Sequence, residues 1–175
     1  MSQDTIDLLK VLVATALVFA AGTLAMLYVI FLLAHYGANL PMIGALPLQA
    51  PPELVPLLVD SRVFPTLAAV HVTATGLALL LTSHTVDSAL LIAAKAVAVV
   101  IAALIGFAGG HMLYLQLNEN TSLGVNALVP ALIALAGFFI LSTWLSVRNL
   151  RQLGNLRFVA AVAAILLGPV LLVWL

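Results

Sequence analysis

The stretch LLKVLVATALVFAAGTLAMLYVIFLLAHY, residues 8–36, decides the fold class. After Lys10 it carries no charged residue as far as Ala34. A helix rises about 1.5 Å per residue, so roughly 20 apolar residues match a hydrocarbon core of about 30 Å. The stretch is too long for a signal-peptide core, and Asp4 and Asp7 ahead of Lys10 deny it the basic flank of one. It reads as a retained first membrane span over 8–34, closed by the polar break His35, Tyr36, Gly37 and Asn39.

Four more segments of the same kind follow, at 65–82, 89–115, 123–147 and 158–175. The turns between them are marked by Ser83, His84, Thr85, Asp87 and Ser88, then by Asn118 to Ser122, then by Arg148, Asn149, Arg151, Gln152, Gly154, Asn155 and Arg157. Asp87 or Ser88 is in position to cap the third span, and Pro130 falls early enough in the fourth to be tolerated. Between the first two spans, residues 36–64 hold Pro41, Pro47, Pro51, Pro52 and Pro56, which forbid a continuous helix; residues 53–60 leave room for one short interfacial helix. Trp174 suits an interface at the end of the fifth span.

Composition agrees. Residues are 65% hydrophobic and 7% charged, with a mean hydropathy of +1.27, whereas soluble domains carry about 25% charged residues. A water-soluble fold is excluded. The expectation is an all-α polytopic integral membrane helix bundle of about five transmembrane helices, a single membrane domain over 1–175 in the plasma membrane of a bacterium or archaeon. Arg148, Arg151 and Arg157 are half of the six basic residues and share one short loop, so the positive-inside rule puts that loop and the N-terminus in the cytoplasm and the C-terminus outside. No internal repeat supports an inverted-repeat transporter architecture.

Six basic residues balance six acidic ones, which leaves no electrostatic footprint for nucleic acid. The expected partners are the lipid bilayer and other membrane subunits or further copies of the chain. With no cysteine, disulfides, thiolate nucleophiles and cysteine-ligated metals are absent. The chain also lacks HExxH, Walker, GxSxG and dinucleotide motifs.

Histidines are the conspicuous candidates, because an imidazole within hydrocarbon is costly and marks a functional hypothesis. By the expected topology, His35, His71 and His111 fall in the outer half on three consecutive spans. His71 and His111 at matching depth, with Gly109, Gly110 and Gly76 giving room, could hold a b-type haem. Alternatively His35, His71 and His111 could form a three-imidazole copper or zinc site, with Met112 as a soft ligand. The plainer reading is hydrogen bonding to carbonyls and headgroups. His84 lies 13 residues from His71, on a nearly opposite helical face, so one helix does not serve two stacked haems.

Three other features have packing readings. Gly106-x-x-x-Gly110 permits close helix approach, and Thr73, Thr75 and Thr82 commonly bond preceding carbonyls of their own helix. Lys95 is shallow enough to snorkel to the interface; the alternatives are a pair with Asp87 or a bound propionate or headgroup. The sequon Asn120-Thr121-Ser122 is so close to the membrane that it reads as a chance match.

The functional expectation is a small subunit of a larger membrane complex, non-catalytic or electron-carrying, with haem b as its sharpest form. The alternative is a transporter or channel component moving protons, metal ions or a small solute past His35, His71 and His111. A membrane metal enzyme lacks a membrane-depth carboxylate, since only Glu53, Asp60 and Glu119 in loops could serve.

Overall fold

The computed structural model describes residues 3–36, 63–81, 83–119 and 125–174 of the 175. The helices are α1 (Gln3–Tyr36), α2 (Val63–Leu80), α3 (His84–Glu119), α4 (Val129–Thr143, preceded by a 3-10 turn Val125–Leu128), α5 (Val147–Arg151) and α6 (Leu156–Trp174). The fold is 93% helical with no strand among the described residues, so backbone polar groups are satisfied within each segment. Helices α1, α2 and α3 are long and apolar enough to cross a membrane, and α4 and α6 are shorter apolar helices. Residues 37–62, where a proline-rich outer loop is expected, Thr82, the sequon at 120–122 and the side chain of Trp174 lie outside the described residues.

Element ends differ from the sequence expectation in several places; α1 runs on through His35 and Tyr36, and α3 through Asn118 and Glu119, where turns are expected. Helix α1 begins at Gln3, so Asp4, Asp7 and Lys10 are helical and Lys10 Nζ reaches Asp7 Oδ1 at 3.4 Å. Helix α3 begins at His84, and its capping oxygen is Ser83 Oγ, which accepts from the Val86 N–H at 3.5 Å; Asp87 and Ser88 lie inside the first turns and cap nothing. The segment expected at 123–147 breaks after Thr143. Trp144 and Leu145 keep the hydropathy high, but the Asn149 side chain donates to the Thr143 carbonyl at 2.7 Å and ends the helix there. Gly154, at φ 58°, supplies the left-handed turn between α5 and α6.

Small residues set which helices meet. A Cβ on Gly106 would run into the Ala16 carbonyl, and one on Gly110 would lie 2.5 Å from the Ala20 carbonyl oxygen. The motif on α3 is therefore matched by Ala16-x-x-x-Ala20 on α1, with the helices parallel and Tyr28 edge-on to Tyr114 at 5.4 Å further along. Helices α2 and α6 pair in the opposite sense. A Cβ on Gly76 would lie 2.8 Å from the Ala161 carbonyl oxygen, and one on Gly168 would collide with the Thr73 hydroxyl. That hydroxyl donates to the Ala69 carbonyl at 2.9 Å, as expected for a helical threonine.

The main core joins Leu8 and Leu12 of α1, Phe64 of α2, Ala94, Ala98, Ile101, Ala102 and Ala108 of α3, and Phe138 of α4. A second cluster of Ala78, Leu79, Val147 and Ala161 ties α2 and α6 to α5. Outward surfaces are apolar all round: Val18, Ile92, Ile133 and Leu166 are 67%, 67%, 68% and 64% exposed. Water would penalise such a surface at about 25 cal/mol per Å2, whereas lipid does not. A membrane location is the environment these helices fit.

Candidate functional site

Most of the described charged side chains gather at one end of the bundle, formed by the start of α1, the α2–α3 turn and α5. Arg151 organises it. One terminal nitrogen, Nη2, donates to the carbonyls of Ala78 at 3.1 Å and Leu81 at 2.5 Å and to Asp87 Oδ1 at 2.9 Å. The Arg151 and Asp87 side chains are only 19% and 10% exposed, so this is a largely desolvated ion pair. It also satisfies carbonyls at the C-terminal end of α2, which have no helical donor of their own. Arg151 Nε is buried without a partner beside a cavity of about 280 Å3 lined by His84, Asp87, Ser88, Ser146 and Arg148.

A larger cavity of about 520 Å3 adjoins it, bordered by Asp4 and Thr5 of α1, Lys95 of α3, and Ser142, Ser146 and Arg148 beyond. Lys95 is half-buried there. It makes no ion pair with Asp87, whose Oδ1 is bonded to Arg151. Thr143 and Ser142 both donate to the Phe139 carbonyl, at 2.7 and 3.0 Å, so their hydroxyl protons are committed to α4. The Ser146 hydroxyl makes no cap bond to α5.

The histidines are spread through the bundle. His35 is exposed near the end of α1, stacked on Phe31 at 6.0 Å and edge-on to Tyr36 at 4.8 Å. His71 is half-buried on α2, 6.1 Å from the Phe138 ring of α4. His111 is 6% exposed on α3, beside Gly110, which touches α1, and its Nδ1 has no hydrogen-bond partner. Phe138 belongs to the same core as Ala108, which lies about one turn from His111 on α3. Among the described residues no three His, Asp or Glu side chains converge as a metal site, so His35, His71 and His111 do not assemble into one. Met112 is buried next to His111.

Sequence reasoning singles out Lys95, Gly106 and Gly110 but misses other participants in these contacts. In the sequence Arg151 is only a topological charge, Asp4 only an argument against a signal peptide, and Ala16 and Ala20 are two alanines among many. The four-residue spacing of those alanines is the available signal. The fold and site define an all-helical protein of membrane-spanning character with a basic, hydroxyl-bearing end. Compared with known proteins, the chain matches no protein-family model, no curated protein and no solved structure.

Proposed function

We propose that the chain crosses the membrane five times as a small subunit of a larger membrane complex, electron-carrying in its sharpest form, with haem b between His71 and His111. The single observation carrying the reading is His111, an imidazole buried in an apolar bundle with nothing at Nδ1. A buried polar atom without a partner costs about 1–3 kcal/mol, a cost that a cofactor or a neighbouring subunit at this position would relieve.

Five crossings agree with the helix senses, since parallel α1 and α3 and antiparallel α2 and α6 are what alternating spans require. The 3-10 turn and α4 together extend roughly 30 Å, and α6 roughly 28 Å, which suffices for spans four and five. The positive-inside rule then puts the basic end in the cytoplasm and the C-terminus outside.

The test is an absorption spectrum of the protein purified from its own membrane in mild detergent. A Soret band and about one haem per chain are expected, both lost in His71→Ala and His111→Ala variants that keep their helical content. Extractable haem below a tenth of that level removes the haem form, and migration as a lone monomer in native electrophoresis removes the subunit reading.

A further inference from the structure

Two neighbouring hollows at the basic end differ sharply in character. The 520 Å3 cavity is lined by Lys95, Arg148, Ser146 and Asp4 among others. Next to it runs an open groove of about 710 Å3 between α1 and α3, bordered mainly by Leu8, Val11, Ile92, Val99 and Val100. Asp4, Leu8 and Lys95 line both, so polar cavity and apolar groove are continuous.

The charges around them do not cancel. Lys10 is paired with Asp7 and Arg151 with Asp87, whereas Lys95 and Arg148 have no ion-pair partner among the described residues. Asp7, paired with Lys10, borders the groove, while in the cavity the two cations meet the one carboxylate of Asp4, an excess of one positive charge there. A phosphodiester carries one negative charge and accepts several hydrogen bonds, which Lys95, Arg148 and the uncommitted Ser146 hydroxyl can donate. A soluble anion would use the cavity and leave the groove; a phospholipid uses both.

We propose that this end holds one anionic phospholipid, its phosphate between Lys95 and Arg148 and an acyl chain along the α1–α3 groove. This rests on the membrane-embedded part of the reading above, and on neither the haem nor the partner subunits. The site fastens the start of α1 to α3 and α5 through the lipid, since its walls come from all three.

The full chain is reconstituted in vesicles of equimolar phosphatidylglycerol and phosphatidylethanolamine, and the lipid retained after detergent extraction is read by native mass spectrometry. Phosphatidylglycerol is expected to be enriched about tenfold over phosphatidylethanolamine. A Lys95→Gln/Arg148→Gln double variant should lose the enrichment. The charge-preserving Lys95→Arg/Arg148→Lys pair should keep it, as should Arg157→Gln, whose guanidinium instead stacks on Phe158 at 4.8 Å. Absence of enrichment in a wild-type chain that floats with the vesicles overturns the proposal, as does enrichment that survives the glutamine pair. Displacement of the lipid by inorganic phosphate overturns it in favour of a soluble-anion site. Failure to float with vesicles at all is a different result, and overturns the membrane reading instead.

Discussion

Replacing Gly106 by leucine should destabilise the protein by roughly 3 kcal/mol, read as a shift in unfolding midpoint in detergent or bilayer. The reason is that the side chain would meet backbone. A Cβ at Gly106 collides with the Ala16 carbonyl, and one at Gly110 lies 2.5 Å from the Ala20 carbonyl oxygen; neither can swing aside as a flexible side chain would. Helices α1 and α3 must move apart, which also separates the Tyr28 and Tyr114 rings. In lipid this is costly because tails are as apolar as leucine, leaving close van der Waals contact to hold helices together. Gly109 is the internal control. It is on the same helix, yet a Cβ there meets nothing within 4 Å, so Gly109→Ala should be neutral or gain up to about 1 kcal/mol from helix propensity. Equal losses of stability at Gly106 and Gly109 would refute close approach as the cause.

Arg151→Met should cost about 3–5 kcal/mol, the range for breaking a buried ion pair by removing one partner. Methionine keeps most of the packing and removes the guanidinium, leaving the Asp87 carboxylate, whose side chain is 10% exposed, without its partner. The Ala78 and Leu81 carbonyls lose their donor in the same step. A second substitution distinguishes charge from shape. Asp87→Leu alone should also destabilise, but added to Arg151→Met it should recover part of the stability, since no orphaned carboxylate remains. The measurement is a double-mutant cycle on unfolding free energy. Strict additivity of the two effects would mean that the pair contributes no coupling, and that the clamp acts through the carbonyls alone.

How far the chain is legible from its residues alone varies by feature. Each of the five apolar runs is present as a helix, because hydropathy sums locally and helices satisfy their own backbone. Helix ends are less legible. Ser83 takes the cap expected of Asp87 or Ser88 because α3 starts a turn earlier, at His84, which leaves Asp87 inside the helix, where it bonds Arg151, 64 residues later in sequence. The break after Thr143 is hidden because Trp144 and Leu145 are as apolar as a helix interior, while the Asn149 side chain that ends α4 comes from beyond it. Lys95, expected to snorkel to the interface or to meet Asp87, a propionate or a headgroup, lines a cavity together with Arg148, a neighbour 53 residues later that its own helix does not reveal.

The sequence by itself determined that this is a bundle of apolar helices suited to lipid, and that its basic residues concentrate in one connection. Both are properties of residues summed along the chain, and need no knowledge of neighbours. Only the tertiary structure decided that Gly106 and Gly110 lie on Ala16 and Ala20, that Gly76 and Gly168 seat α6 against α2, and that Arg151 joins three chain segments at one nitrogen. Those pairings depend on small side chains from distant segments meeting at one depth. In a chain this uniformly apolar, hydrophobicity does not distinguish one helix face from another.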